Sequence, residues 1–210
     1  RAAMTGVHGV FSMQALALTE DELAREVRQG VAVADLAGEL RVAHLVYSSV
    51  GGAERDTGIA HFASKWEIER HIAKLGVPAT ILRPAFFMTN LLYYAETAGD
   101  ERVIALPFAS MQLVAPEDIA HFAAEAFEHP GEYAGTRLEI ASDVRTGPEI
   151  AEIYARVTGT PTRFEQTPPA GERMYEWFLE SGYQADVAAL RARHPGLSTF
   201  ESFLRERLAR

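Results

Sequence analysis

The sequence predicts an α/β protein: a doubly wound parallel sheet followed by a smaller carboxyl-terminal α/β domain. Two observations carry that prediction. Val42, Leu45, Val46 and Tyr47 form an apolar run with β-branched and aromatic members, the pattern of a strand buried on both faces. A glycine turn, a charged amphipathic helix and a second branched run, Thr80–Leu82, follow in the order of a parallel βαβ unit. Open parallel sheets place their chemistry at the carboxyl ends of the strands, which singles out Ser48–Gly52 and Arg83–Met88.

Composition narrows the function. A chain of 210 residues with 48% hydrophobic content buries one sizeable core, or one core with a small appendage. The net charge of −9, with no cluster of Lys and Arg, argues against a surface for nucleic acid, while a regulatory protein contact stays open. The absence of cysteine excludes disulfides and thiolate metal sites and fits a reducing, cytoplasmic compartment. Metal-ligand spacings are absent, and no apolar run approaches the length of a membrane span. A small-molecule substrate is the expected partner, with neither nucleic acid nor membrane. There is no G-x-S-x-G elbow, so a hydrolase built on Ser48 or Ser49 has little support.

Taken in order, Arg1–Thr5 reads as the end of a helix. Gly6-x-x-Gly9 is a turn and not a phosphate loop, because it precedes its strand, Val10–Met13. Thr19 caps the next helix, with Glu20, Asp21 and Glu22 opposing its dipole; Leu23, Val27, Val31 and Ala34 give its apolar side, and Glu26 belongs to a solvated face. Ser64-Lys65-Trp66-Glu67 forms a capping box that starts the following helix at Ser64, the alternative being a start near Thr57. Its apolar stripe is Trp66, Ile68, Ile72 and Leu75, with Glu67, Glu69, Arg70 and Lys74 on the other side, and Gly76 stops it. Arg83-Pro84 ends the Thr80–Leu82 strand. Beyond it come a helix with Tyr93 and Tyr94, a strand at Val103–Leu106, the helix opened by Pro116-Glu117-Asp118, in which Asp118 is a structural cap, and a strand at Arg137–Ala141. Thr146-Gly147-Pro148-Glu149 is a further capping box, Thr162–Gln166 a strand, and the remainder is helical, with Ser198-x-x-Glu201 capping the last helix.

The combination YSSVGGA, HFASKWEIE and GVPATILRPAFFMTNLL resembles the NmrA-like family of atypical short-chain dehydrogenases/reductases, a branch that includes redox-sensing proteins and quinone reductases. The resemblance implies a Rossmann-like sheet that binds NADP(H) or NAD(H), formed by residues 1–90 and 111–142, with a smaller substrate or lid domain from 91–110 and 143–210. It implies that Phe11, Ser12 and Met13 run along the adenosine half of the dinucleotide, that Ser48 and Ser49 contact nicotinamide or substrate, and that Pro84, Ala85, Phe86 and Phe87 pass the nicotinamide ring. Typical short-chain dehydrogenases carry a tyrosine four positions before a lysine, on one helix face. Here those positions are His61 and Lys65, so the usual proton donor is replaced. Spacing alone makes Lys65 a solvent-facing helix lysine and His61 a loop or capping histidine; the resemblance makes Lys65, and less strongly His61, candidates for catalysis. Core packing competes with the site role for Phe11–Met13 and for one of Phe86 and Phe87, and backbone capping competes with it for the serines.

One part of the family pattern is missing: no glycine fingerprint G-x-G-x-x-G occurs in the 210 residues. The family places two strand–helix units and a strand before this point, on the order of 60 residues. Either those residues lie upstream of Arg1 or the chain is truncated. The 210 residues alone are therefore expected to bind NADPH weakly or not at all, the cofactor requiring residues upstream of Arg1, and, through an exposed edge at Val10–Met13, to form homo-oligomers or aggregate. Two functions remain: an NAD(P)H-dependent oxidoreductase acting on a quinone-like or carbonyl acceptor, and a non-catalytic NADP(H) sensor working through a protein partner.

Overall fold

Apolar runs and amphipathic stretches alternate along the chain, and in the computed structural model, which describes residues 1–209, they become strands and helices in that order. The first half contains β1 (Gly9–Ser12), α1 (Glu20–Glu39), β2 (His44–Ser48), α2 (Ala60–Leu75), β3 (Ala79–Pro84), β4 (Phe86–Phe87), α3 (Asn90–Tyr94), β5 (Ala95–Ala98) and β6 (Glu101–Leu106). The second contains β7 (Ser110–Val114), α4 (Pro116–Glu128), α5 (Pro130–Tyr133), β8 (Arg137–Ile140), β9 (Asp143–Thr146), α6 (Gly147–Thr158), β10 (Thr162–Gln166), α7 (Arg173–Glu180), α8 (Val187–Arg193) and α9 (Phe200–Leu208). Two units result: Arg1–Pro84 with Ala120–Glu139, and Ala85–Ile119 with the chain from Ile140 onward.

The first unit is built on a sheet of order β1-β2-β3-β8. The β1–β2 and β2–β3 pairs are parallel, with Val10 opposite Leu45 and Val46 opposite Thr80. β3 runs through Arg83 to Pro84, which ends the strand later than the Arg83-Pro84 signal suggests; the Pro84 ring removes only a donor, and its carbonyl still accepts from Gly51 N at 2.9 Å. Leu45, Tyr47, Ala79 and Ile81 project to one face and form a core with Ala34, Ala37, Ile68 and Ile72 of the two long helices. On the other face, Phe127 of α4 packs edge-on against His44 and over Gly9.

Helix boundaries follow their caps. Thr19 caps α1 with a reciprocal Glu22 bond, as expected. The Ser64 box does not form: α2 begins four residues earlier, at Ala60, and Ser64 Oγ turns inward to donate to Glu26 Oε2 at 2.7 Å. Gly76 ends α2 with φ of 66°, a left-handed cap that glycine takes without strain.

In α1 the buried positions are Glu26, Gly30, Ala34 and Ala37; of the expected stripe Ala34 is buried, whereas Leu23, Val27 and Val31 are half-buried, so the inner face lies beside the one that those three suggest. Helices α1 and α2 run parallel, since Glu26 meets Ser64 and Lys65, Gly30 meets Ile68 and Asp35 meets His71 in rising order along both.

The second unit holds two three-stranded sheets, β10-β6-β5 and β4-β7-β9. Strands β4, β5 and β9 are additions to the sequence reading; each has four residues or fewer, too short for a clear alternation. Thr146 and Glu149 form the expected capping box of α6. The last helix is capped by Thr199 with Ser202, not by Ser198 with Glu201. Ser198 instead gives its backbone N–H to the buried Asp118 at 3.2 Å, and Asp118 also accepts from Ser142 Oγ at 2.5 Å. Asp118 thus has a structural role, but it binds the segment before α9 instead of capping its own helix.

Candidate functional site

Strand β2 delivers Ser48 and Ser49 to the carboxyl edge of the parallel sheet, and alternation sends them to opposite faces. Ser49 shares the face of Leu45 and Tyr47, and its hydroxyl is consumed by a 2.6 Å hydrogen bond to Glu69 Oε1. Ser48 points to the other face; its hydroxyl makes no hydrogen bond among the described residues. The turn after them is fixed by backbone bonds from Ser49 N to Leu82 O at 2.7 Å and from Gly51 N to Pro84 O at 2.9 Å.

Helix α2 runs back from this edge, so its first two turns lie beside it. His61 and Lys65 are both helical and four apart, on one face. The Lys65 ammonium donates to Glu26; the Glu26 carboxylate is buried, with its side chain 1% exposed, while Lys65 is half-buried, with its side chain 14% exposed. Burial lowers the His61 pKa, the Lys65 charge lowers it further and Glu26 works the other way, so His61 is neutral at pH 7.

Glu26 and Glu69 are site residues that sequence reasoning put on solvated faces. Glu69 has no exposed surface; it accepts from Arg83 Nε at 3.1 Å and Nη2 at 2.7 Å in addition to Ser49. Arg83 also meets Glu54 at 2.8 Å. Burial opposes the Arg83 charge, but the bonds and charges of Glu69, with Glu54 and Glu139, outweigh it and raise its pKa. A signal existed for both carboxylates: Glu26 falls in step with Gly30 and Ala34, and Glu69 adjoins Ile68 and precedes Ile72 by three. Tyr47, also missed, ends with its hydroxyl buried and unpartnered; burial, then the charges of Glu26 and Glu69, push its pKa well above the usual tyrosine value.

The remaining predicted residues divide. At the end of β1, an edge strand, Phe11 and Met13 are 45% and 62% exposed, whereas Ser12 is buried and accepts from Gln14 Nε2 at 3.1 Å. Pro84 closes the first unit. Ala85, Phe86 and Phe87 belong to the second, where Phe86 is buried edge-on against Phe108 and Phe178. Phe86 is therefore a core aromatic in an aromatic cluster, and Phe87 is half-buried. Among the described residues no group of His, Asp and Glu is placed to hold a metal ion, and no helix is long and apolar enough to cross a membrane.

A parallel sheet with this edge defines a class of protein, and comparison supplies the family. The family model "NmrA-like family" matches residues 1–190, and the chain belongs to that family. It is 26% identical over 167 residues to an NAD(P)H azoreductase of Xenophilus azovorans, an alignment covering 78% of this chain and 56% of the relative. The chain spans about half the length of the curated relatives it matches first. In fold it is similar to the triphenylmethane reductase of Citrobacter sp., with a TM-score of 0.80 at 17% identity, covering 100% of this chain and 79% of that one. It is also similar to NmrA, a negative transcriptional regulator solved in complex with NAD, with a TM-score of 0.76 at 19% identity, covering 96% and 74%.

Proposed function

We propose that the protein binds NAD(P)H at the carboxyl edge of its parallel sheet and acts as an NAD(P)H-dependent oxidoreductase on a small quinone-like or carbonyl acceptor. The observation that carries this reading is the pair of groups at that edge: an unpartnered Ser48 hydroxyl after β2, and a Lys65 ammonium at the start of α2 whose bond to Glu26 leaves two N–H donors. Such donors suit the hydroxyl groups of a nicotinamide ribose. The azoreductase relative supports the reading by its named use of NAD(P)H. When bound, the nicotinamide supplies the reducing equivalent. The chain's own part is to orient it: Lys65 and Ser48 donate, the Gly51–Pro84 tie holds the turn, and neutral His61 sits one turn before Lys65 where it can carry a proton.

A second reading is a non-catalytic NADP(H) sensor acting through a protein partner. The histidine in place of the tyrosine favours it, and NmrA, a transcriptional regulator solved with NAD, is the structural precedent. Mixing purified protein with NADPH and a panel of quinones and azo dyes, and following nicotinamide absorbance, separates the two. Turnover that falls when Lys65→Met is made in a Glu26→Gln background, where no buried charge is stranded, supports the oxidoreductase; saturable NADPH binding without turnover of any acceptor supports the sensor.

A further inference from the structure

Glu69 is a carboxylate with no exposed surface, and both its oxygens are used by groups from two different strand ends. Oε1 accepts from Ser49 Oγ at 2.6 Å and from Arg83 Nε at 3.1 Å, while Oε2 accepts from Arg83 Nη2 at 2.7 Å. Arg83 Nη1 reaches on to Glu54 at 2.8 Å, in the segment just past the glycine turn, and the guanidinium lies over the Trp66 ring at 5.8 Å. Burying such a pair is costly unless every lone pair is satisfied, and apolar residues of equal volume hold a helix to a sheet as well. What the ionic contact adds is direction. A bidentate guanidinium fixes one orientation of Glu69, and that orientation aims Oε1 at Ser49.

We infer that Glu69 is a positioning residue: through Ser49 and Arg83 it fixes the Ser48–Gly52 turn, and with it the Ser48 hydroxyl, against the end of β3. The inference rests on the reading that the cofactor lies at this edge. It also explains why two adjacent serines differ in role, since the hydroxyl of Ser49 is spent holding the backbone that presents Ser48.

Glu69→Gln takes the bidentate carboxylate away from buried Arg83, leaving it the ion pair with Glu54, and risks misfolding, so the decisive variant is Ser49→Ala, which removes one bond and leaves the Glu69–Arg83 contact intact. Its amide exchange at Gly51 is expected to rise about tenfold, while the Leu45 amide at the other end of β2 exchanges as before. The KM for NADPH is expected to rise about tenfold with a smaller change in kcat, and Ser49→Thr restores both. Unchanged exchange at Gly51 overturns the inference whether or not NADPH binds. Faster exchange with an unchanged KM also overturns it, because the turn would then position nothing that the cofactor uses. If the native chain shows no NADPH binding at any concentration, the functional reading fails by itself, and the exchange measurement still decides the part Glu69 plays in holding the turn.

Discussion

Lys65 and Glu26 form an ion pair between two parallel helices, and Ser64 adds a second hydrogen bond to the same carboxylate. Removing the lysine leaves a buried charge with one hydroxyl for company. Lys65→Met is therefore expected to destabilise the fold by about 3 kcal/mol, read as a lower urea midpoint at unchanged slope. Adding Glu26→Gln to that variant removes the stranded charge and is expected to return most of the loss. If the double variant is no more stable than Lys65→Met, the pair does not hold the helices together.

Cofactor affinity distinguishes Lys65 from His61. In a Glu26→Gln background, where Lys65→Met strands no buried charge, Lys65→Met is expected to weaken NADPH binding by roughly 1.5–3 kcal/mol for each charge-assisted hydrogen bond lost. His61→Phe keeps the ring contact with Phe62 and is expected to cost less. Calorimetric titration of both variants checks the order, and a larger effect at His61 would reassign the group that meets the cofactor.

His44 makes stability depend on pH. The single proton of the Thr80 hydroxyl goes to Tyr133 O at 2.9 Å, so His44 Nε2 must donate to Thr80 Oγ1 at 2.8 Å, which leaves Nδ1 bare and buried without a partner. Burial, with a contribution from His8, lowers its pKa in the folded chain. Below the ordinary histidine pKa of about 6.5 the unfolded chain binds a proton that the folded chain refuses, so stability is full above that pH and falls as the pH drops through it. His61 adds in the same direction. The urea midpoint is expected to be lower at about pH 5.5 than at about pH 7.5, above the range where carboxylates protonate. In His44→Gln the difference should shrink; a midpoint that rises on acidification would contradict the tautomer assignment.

The alternation of strands and helices was legible because buried parallel strands are continuous apolar runs: β2 and β3 follow from Val46, Tyr47, Ile81 and Leu82. The caps at Thr19 and Thr146 were legible because their signals are local. Ser64 shows the limit of that logic, since its side chain found a better partner on another helix, 38 residues away. The same cause hid the two buried carboxylates. A glutamate reads as solvated until the arginine or lysine that neutralises it is known, and Arg83 and Lys65 approach Glu69 and Glu26 from other elements. Periodicity placed both glutamates beside apolar positions, but residue type outweighed it.

Gly30 sets the distance between α1 and α2. A Cβ there would lie 2.5 Å from Ile68 Cδ1 and 2.9 Å from both Cγ atoms. Alanine gains up to about 1 kcal/mol in helix propensity, and overpacking costs about 1–3 kcal/mol. Because two of the three atoms lie close to the α2 backbone, the packing cost wins, and Gly30→Ala is expected to be less stable in urea by about 1 kcal/mol. Ile68→Val, which removes the nearest atom, should recover part of it in the double variant; a Gly30→Ala variant as stable as the native protein would show that the helices separate freely.

A nicotinamide dinucleotide bound at the carboxyl edge of the sheet must touch both the β2 turn and the start of α2. Amide resonances of the isotope-labelled protein, followed as NADPH is added into the millimolar range, register weak as well as tight binding. The predicted result is saturable shifts concentrated at Ser48–Gly52 and around Lys65, lost in Ser48→Ala/Lys65→Met within the Glu26→Gln background. Shifts confined to other parts of the sheet, or none at these residues when the others have saturated, would contradict it.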